Sequence, residues 1–365
     1  MKDYYEKELE IIEKSKRFRK RKLFDDDLVD MASNDYLGLS TNKKLLNKSY
    51  KLLKKEKYLS PKASMIVNGY SKIHQKFEKK LCKLNNFESG IVVGSGFLAN
   101  ISLIECLVRK KDILFIDEEY HASGMMATKL VQGEVVVFKH NDTEDLQNKI
   151  DALSYKPNRI IIAIEGVYSM GGDIASKEFN DIATKHDAIL IVDEAHSSGI
   201  IGKNLLGWFD HFDITPEKNH IKMGTLGKAY GSYGAYILAS SHIISFLENR
   251  AKPIIYSTAP SLFDSASAYI NLQYLQNNKK KIKKKIQRNQ KLVQKHLNID
   301  AQSLIIPIEI GDNKKVIDMQ NELMKRGYLI GAIRQPTVSK AIIRLIIKLD
   351  LKKKDLKEVL RYLQK

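Results

Sequence analysis

The sequence predicts an α/β protein with a large domain around a mostly parallel seven-stranded sheet, followed by a smaller α+β domain at its C-terminal end. Three observations predict it. Short apolar runs alternate with helix-length segments between about Gly90 and Ala239. Several of those runs are continuously apolar, as strands buried on both faces are. After about Pro260 the composition turns to polar helical stretches.

In chain order, 1–21 reads as a charged helix or arm, and 30–40 as a short strand and turn. An irregular loop follows from Ser60, with a helix starting at Ser71. The strand candidates are 90–93, 113–116, 135–138, 159–164, 188–192, 221–223 and 236–239. The second domain takes a strand at 303–310, a helix from about Lys315 and a strand at 342–349. The domain bounds expected are an arm over 1–40, a large domain over 41–272 and a small one over 273–365.

Composition narrows the function. Of 365 residues, 43% are hydrophobic and 28% charged, which excludes disorder, collagen and coiled coil. Two cysteines, Cys82 and Cys106, allow neither a disulfide framework nor a four-cysteine zinc site. No apolar run reaches transmembrane length, and 1–20 lacks the apolar core of a signal peptide. A cytoplasmic protein without a membrane partner is expected. The net charge is +18, from 61 Lys+Arg against 43 Asp+Glu. Its densest run, 279–285, keeps Ile282, Ile286, Val293 and Leu297 at helical spacing, so it reads as the wet face of an amphipathic helix. No aromatic interleaving suggests a base-stacking platform, and no nucleic-acid partner is expected. Lys352–Lys354 precede a helix that Asp355 would cap, with Glu358 three residues on.

The chemistry-bearing residues each follow a predicted strand. Gly94-Ser95-Gly96-Phe97 opens an apolar helix, and such a turn is either an anion cradle or a plain strand–helix turn. His121 follows the second strand and is either a ring stacker or structural. Asp193-Glu194-Ala195-His196 closes a strand at its carboxyl end, where ligands bind in open α/β sheets. Alone it reads equally as a capping Asp and a surface His. Gly224-Thr225-Leu226-Gly227-Lys228 sets a lysine among small residues. Desolvated, that amine is a nucleophile toward a carbonyl; otherwise it is a solvent lysine in a turn. Taken in order, with Ser169 between, the set matches what a pyridoxal phosphate site needs.

With Ser33-Asn34-Asp35-Tyr36-Leu37-Gly38, Gly69-Tyr70, Ser95-Gly96-Phe97-Leu98-Ala99-Asn100, His121-Ala122-Ser123, Glu165-Gly166-Val167-Tyr168-Ser169-Met170, Asp193-Glu194-Ala195-His196, Thr225-Leu226-Gly227-Lys228, Tyr256-Ser257-Thr258 and Arg334-Gln335-Pro336-Thr337 all in order, the chain resembles the α-oxoamine synthases. These are fold-type I pyridoxal phosphate transferases, and the match runs from about Met31 to the C-terminus. The last motif is most similar to that of the biotin-pathway branch; the glycine-using acetyltransferase branch is the alternative. The resemblance implies that Lys228 carries pyridoxal 5'-phosphate, Asp193 pairs with its ring nitrogen and His121 stacks on the ring. It implies His196 at the phenolic oxygen with Ser169 close by, and Gly96, Phe97 and Thr225 at the phosphate. Ser257 and Thr258 would reach the phosphate of a partner subunit, which implies a homodimer. Thr337 would lie near the acyl substrate. The implied reaction is a decarboxylative condensation of L-alanine with pimeloyl-CoA or pimeloyl-acyl-carrier protein. Two departures stand out. The glycine-rich segment expected before Gly69 reads Ser60-Pro61-Lys62-Ala63-Ser64-Met65-Ile66. Of two arginines expected at i and i+2 near the C-terminus, Arg344 is present and Ile346 stands at the second position, which leaves Arg344 or Lys348 for the amino-acid carboxylate. A regulatory module on this fold would not need the Lys228, Asp193 and His121 set, and a nucleic-acid binder explains none of the ordered motifs.

Overall fold

The computed structural model describes residues 4–15 and 17–364. Its strands are β1 (Val29–Met31), β2 (Ser89–Val93), β3 (Ile113–Asp117), β4 (Glu134–Phe138), β5 (Ile160–Glu165), β6 (Ile189–Asp193), β7 (His220–Thr225), β8 (Ala235–Ala239), β9 (Ile305–Gly311), β10 (Tyr328–Ile333) and β11 (Ala341–Ile346). Seven of them form one sheet in the order β2-β8-β7-β6-β5-β3-β4. Within it β4, β3, β5, β6 and β7 pair in parallel, and β8 runs against both its neighbours. Every expected strand of the large domain is present. The reason is visible in burial. Phe115, Ile162, Ile164, Leu190 and Val192 pack into one apolar cluster, and Leu114, Ile116, Ile161, Ala163 and Ile191 into another. Both faces are covered, so the runs stay apolar at every position.

The second sheet has the order β1-β10-β11-β9. Strands β9 and β11 were expected; β10 was not, and β1 belongs here because it pairs in parallel with β10. Residues 29–31 of the expected arm are thus part of the small sheet. The expected boundary at 272/273 falls inside one continuous helix, Leu262–Leu297, which packs Leu272, Ile282 and Ile286 into the main core. The lysine run lies on this helix. Ile282, Ile286 and Val293 are buried, and Lys280, Lys281 and Lys284 are exposed. At the C-terminus, the helix Lys353–Leu363 begins two residues before Asp355, with Lys352 at the cap and no side-chain cap bond. The expected Asp355 cap is therefore corrected: Asp355 stands in the first turn, where a negative charge still favours the helix dipole. The charged N-terminal segment forms an exposed helix, Glu6–Lys14; residues 1–3 and 16 of the expected arm lie outside the described residues. Among the described residues no helix is long and apolar enough to cross a membrane.

Candidate active site

The carboxyl ends of β5, β6 and β7 lie side by side, so Glu165, Asp193 and Thr225 finish adjacent strands. Lys228 follows β7 on a short loop. Its Nζ lies 2.7 Å from Nε2 of His196, the residue three beyond Asp193. The His196 Nδ1 shares a hydrogen bond with the Tyr36 hydroxyl. Burial pushes the Lys228 amine down to about 8, and Arg344 adds to this against the opposing pull of Asp193 and Glu165. Burial, then Lys228 and Arg344, hold His196 well below its ordinary value, so its imidazole is neutral.

Asp193 is held by two donors. The Ala195 N–H donates to Oδ1 at 2.9 Å, and the Asn100 amide donates to Oδ2 at 2.9 Å. Each oxygen keeps acceptor capacity for a further donor. Asn100 also donates to the Ser123 hydroxyl at 2.9 Å and accepts from Tyr120 at 2.9 Å. Ser123 in turn fixes Nδ1 of His121, at 2.7 Å from its hydroxyl and 3.2 Å from its N–H. Burial lowers the His121 pKa, with Asp193 opposing and Lys228 reinforcing. Asn100 thus joins the histidine to the aspartate. Sequence reasoning assigned it no role. The available signal was a lone amide in the apolar helix Gly96–Leu107.

That helix starts beside the site. The Ser95 hydroxyl accepts from the Leu98 N–H at 3.2 Å, leaving the Gly96 and Phe97 amides without an intrahelical partner. A Cβ on Gly96 would stand 3.9 Å from Thr225 Cβ, so the two walls of the cradle meet there. Behind the site, Glu194 is fully buried and pairs with Lys222 at 3.2 Å. Glu194 also accepts from the Trp208 N–H and the Ser197 hydroxyl, both at 2.6 Å. Gly207 has φ +102°, and a Cβ there would collide with the Glu194 carboxylate. This pillar holds the Asp193–His196 segment from below.

Arg344 comes in from β11 of the small sheet and is buried. Its Nε donates to the Ser169 carbonyl at 2.7 Å, and Nη2 donates to Asn34 Oδ1 at 3.1 Å. Its charge is felt at Tyr36, His196 and Lys228. Arg344 and Lys348, the two candidates for the carboxylate, stand in different surroundings. Lys348 is engaged by Asp30 at 2.8 Å and Asp350 at 3.8 Å, whereas Arg344 faces the Lys228 cluster. Ile346 is fully buried in the main apolar cluster. Ser257 and Thr258 lie beyond the short helix Lys252–Ile255, Thr258 exposed, and no hydrogen bond joins them to the Lys228 cluster among the described residues. Thr337 is exposed on the loop between β10 and β11, its N–H on the Arg334 carbonyl at 3.0 Å.

The residues fit pyridoxal phosphate. A desolvated amine, a buried carboxylate with acceptor capacity, a neutral imidazole and a free helix N-terminus converge at the ends of adjacent strands. Comparison with known proteins points the same way. The family model for aminotransferase class I and II matches residues 26–363. The chain is 43% identical to the 8-amino-7-oxononanoate synthase of Helicobacter pylori strain J99 over 357 residues, covering 97% of this chain and 95% of that one. A crystal structure of 8-amino-7-oxononanoate synthase from Francisella tularensis superposes with TM-score 0.79 at 28% identity, covering 93% of this chain and 98% of that one. A serine palmitoyltransferase from S. paucimobilis, solved with a bound PLP–myriocin aldimine, superposes with TM-score 0.89 over 100% of this chain and 98% of that one; at 22% identity it shares the fold alone.

Proposed function

The chain belongs to the aminotransferase class I and II family and to its α-oxoamine synthases, and from that premise we propose that it condenses L-alanine with a pimeloyl thioester, as an 8-amino-7-oxononanoate synthase of biotin biosynthesis does. In that reaction a C–C bond forms between the alanine α-carbon and the thioester carbonyl carbon. The C–S bond breaks and the thiol leaves; the α-carboxylate leaves as CO2, and a proton returns to the α-carbon. Bound pyridoxal phosphate supplies the electron sink that stabilises negative charge on that carbon.

The chain's own groups divide the rest. Lys228 would hold the cofactor through Nζ, and the same nitrogen would serve as the base for the α-proton. A pKa near 8 suits an amine that must accept and return a proton close to neutral pH. Asp193, oriented by Asn100 and the Ala195 N–H, pairs with the cofactor's ring nitrogen. His121, anchored through Ser123, would cover one ring face, and His196 would donate to the phenolic oxygen near Ser169. Gly96, Phe97 and Thr225 cradle the phosphate, and Ser257 and Thr258 complete that cradle in the second subunit of a homodimer. Arg344 receives the alanine carboxylate through its planar fork, for which a lysine would be a poorer substitute. Thr337 borders the acyl chain. The acyl group arrives on CoA or on an acyl-carrier protein.

The observation that carries the reading is the Lys228–His196 contact set between the Asp193 carboxylate and the Arg344 guanidinium. The test is the protein loaded with pyridoxal phosphate and offered L-alanine, glycine or L-serine with pimeloyl-CoA or acetyl-CoA. Thiol release from alanine and pimeloyl-CoA alone is expected. Preference for glycine with acetyl-CoA would move the assignment to the acetyltransferase branch and implicate the altered loop at 61–66. Failure of borohydride reduction to fix the cofactor on Lys228 would end the enzyme reading.

A further inference from the structure

Glu165 has no part in the chemistry above, yet it is buried among the groups that do. It ends β5 directly opposite Asp193 on β6 and is 1% exposed. Its Oε2 accepts the Ser169 N–H at 3.1 Å, and the carbonyl of that same Ser169 accepts from Arg344 Nε at 2.7 Å. A continuous path therefore runs from the end of the large sheet, through one residue, to a guanidinium on the small sheet. The other oxygen, Oε1, is buried and has no partner among the described residues.

A carboxyl group is a costly choice for holding one N–H. Strands in a sheet lie about 4.8 Å apart, so a second negative charge here would face Asp193 at close range. Burial first, and then Asp193, hold the Glu165 carboxyl well above the usual carboxylate range. Lys228 and the Ser169 N–H oppose this, and Asp117 reinforces it. Asp193 has two donors for its charge, whereas Glu165 has one N–H on Oε2 and nothing on Oε1. The proton belongs on Glu165. In that form it resembles an amide in shape and hydrogen bonding, without adding charge beside Asp193.

We infer that Glu165 is a positioning residue for amino-acid binding: through the Ser169 backbone it fixes the Arg344 guanidinium where the substrate carboxylate arrives. This rests on the reading of Arg344 as the carboxylate's partner in the alanine-condensing reaction. It differs from a general packing role in what it should affect. Loss of the strut loosens Arg344, which lies on a different sheet. It leaves the Lys228 amine and the Asp193 carboxylate with their own hydrogen-bonding partners.

The experiment titrates the pyridoxal-phosphate-loaded protein with L-alanine, following visible absorbance, for wild type, Glu165→Gln and Glu165→Ala. Crystal structures of the same proteins accompany the titrations. The alanine variant should bind L-alanine about tenfold more weakly, the scale of one buried hydrogen bond, with Arg344 Nε displaced from the Ser169 carbonyl. Glu165→Gln should restore binding to within about twofold, and kcat at saturating L-alanine should change less than threefold in both. Should Glu165→Ala not fold, Glu165→Asp, one methylene short of the Ser169 N–H, carries the same expectation. Unchanged L-alanine affinity in the shortened variant, or a glutamine variant as weak as the alanine one, overturns the inference. A wild type that ignores L-alanine, beside a shortened variant with a displaced Arg344, would instead sink the substrate reading and leave the strut standing.

Discussion

Lys222 and Lys228 lie six residues apart, the first fully buried and the second half-buried, and the fold treats them in opposite ways. Lys222 points into the floor of the site. Its ammonium meets Glu194 at 3.2 Å and the Leu206 carbonyl, so burial lowers its pKa against the direct pull of a carboxylate. Lys228 emerges from the same strand toward the cleft and meets a neutral imidazole instead. The first is a structural cation with fixed partners. The second is an amine with a loosened proton. Burial alone does not make a lysine reactive; burial without a carboxylate in contact does.

The largest expected effect falls on the free amine. Lys228→Ala should lower thiol release by about 10⁴-fold or more, because one nitrogen serves as both attachment point and base. Its thermal unfolding should hold near wild type, since no ion pair is lost. Lys222→Ala should show the reverse pattern. It strands the buried Glu194 charge and should cost roughly 3–5 kcal/mol of stability in urea unfolding. Adding Glu194→Gln to Lys222→Met should recover much of that loss, because no unpaired charge then stays buried. If Lys222→Ala proved stable, the distinction between the two lysines would collapse.

The next effect is a pH dependence with a definite sign. Cofactor attachment needs the neutral amine. With the Lys228 pKa near 8, the neutral fraction rises about tenfold from pH 6 to pH 7 and levels off above about pH 9. The rate of pyridoxal phosphate incorporation, measured by stopped flow, should follow that curve. A rate still climbing tenfold per unit beyond pH 9 would mean that the amine is not desolvated. Asn100→Ala should act more weakly. Losing the amide that joins Asp193 to Ser123 should weaken pyridoxal phosphate binding about tenfold, read by equilibrium dialysis.

The same contrast explains what the sequence could convey. Lys228, Asp193 and His196 were legible because each follows an apolar strand, and their order matches a known family. Lys222 looked like one more residue of a strand, since its partner Glu194 comes from a different strand's end. Asn100 and Glu165 stood inside recognised motifs, but their work depends on what the fold sets beside them: Asp193 across the strand register, Ser123 across two segments. The arginine question was similar. Alternation put Arg344, Ile346 and Lys348 on one face, and only the packing showed Arg344 at Ser169, Ile346 in the core and Lys348 on Asp30. Strand β10 was not legible because Gly331 interrupts its apolar run and its parallel neighbour β1 lies far away in sequence.

The smallest effect belongs to a third class of lysine. On the helix Leu262–Leu297, Lys280, Lys281 and Lys284 are exposed, while Lys279, Lys283 and Lys285 each reach an oxygen of a neighbouring segment. The apolar side of the helix, through Ile282 and Ile286, is anchored without the exposed three. Reversing Lys280, Lys281 and Lys284 together to glutamate should therefore change stability by less than about 0.5 kcal/mol per site, as exposed substitutions do. Turnover of pimeloyl-CoA should also hold, since none of the three takes part in the Lys228 network. The same variant offered pimeloyl-acyl-carrier protein is the sharper measurement. Unchanged KM on both thioesters is expected of a solvated face. A KM raised several-fold for the carrier alone, with the gap between the two proteins narrowing as salt is added, would instead give this run a docking role and add a third use to the two that Lys222 and Lys228 define.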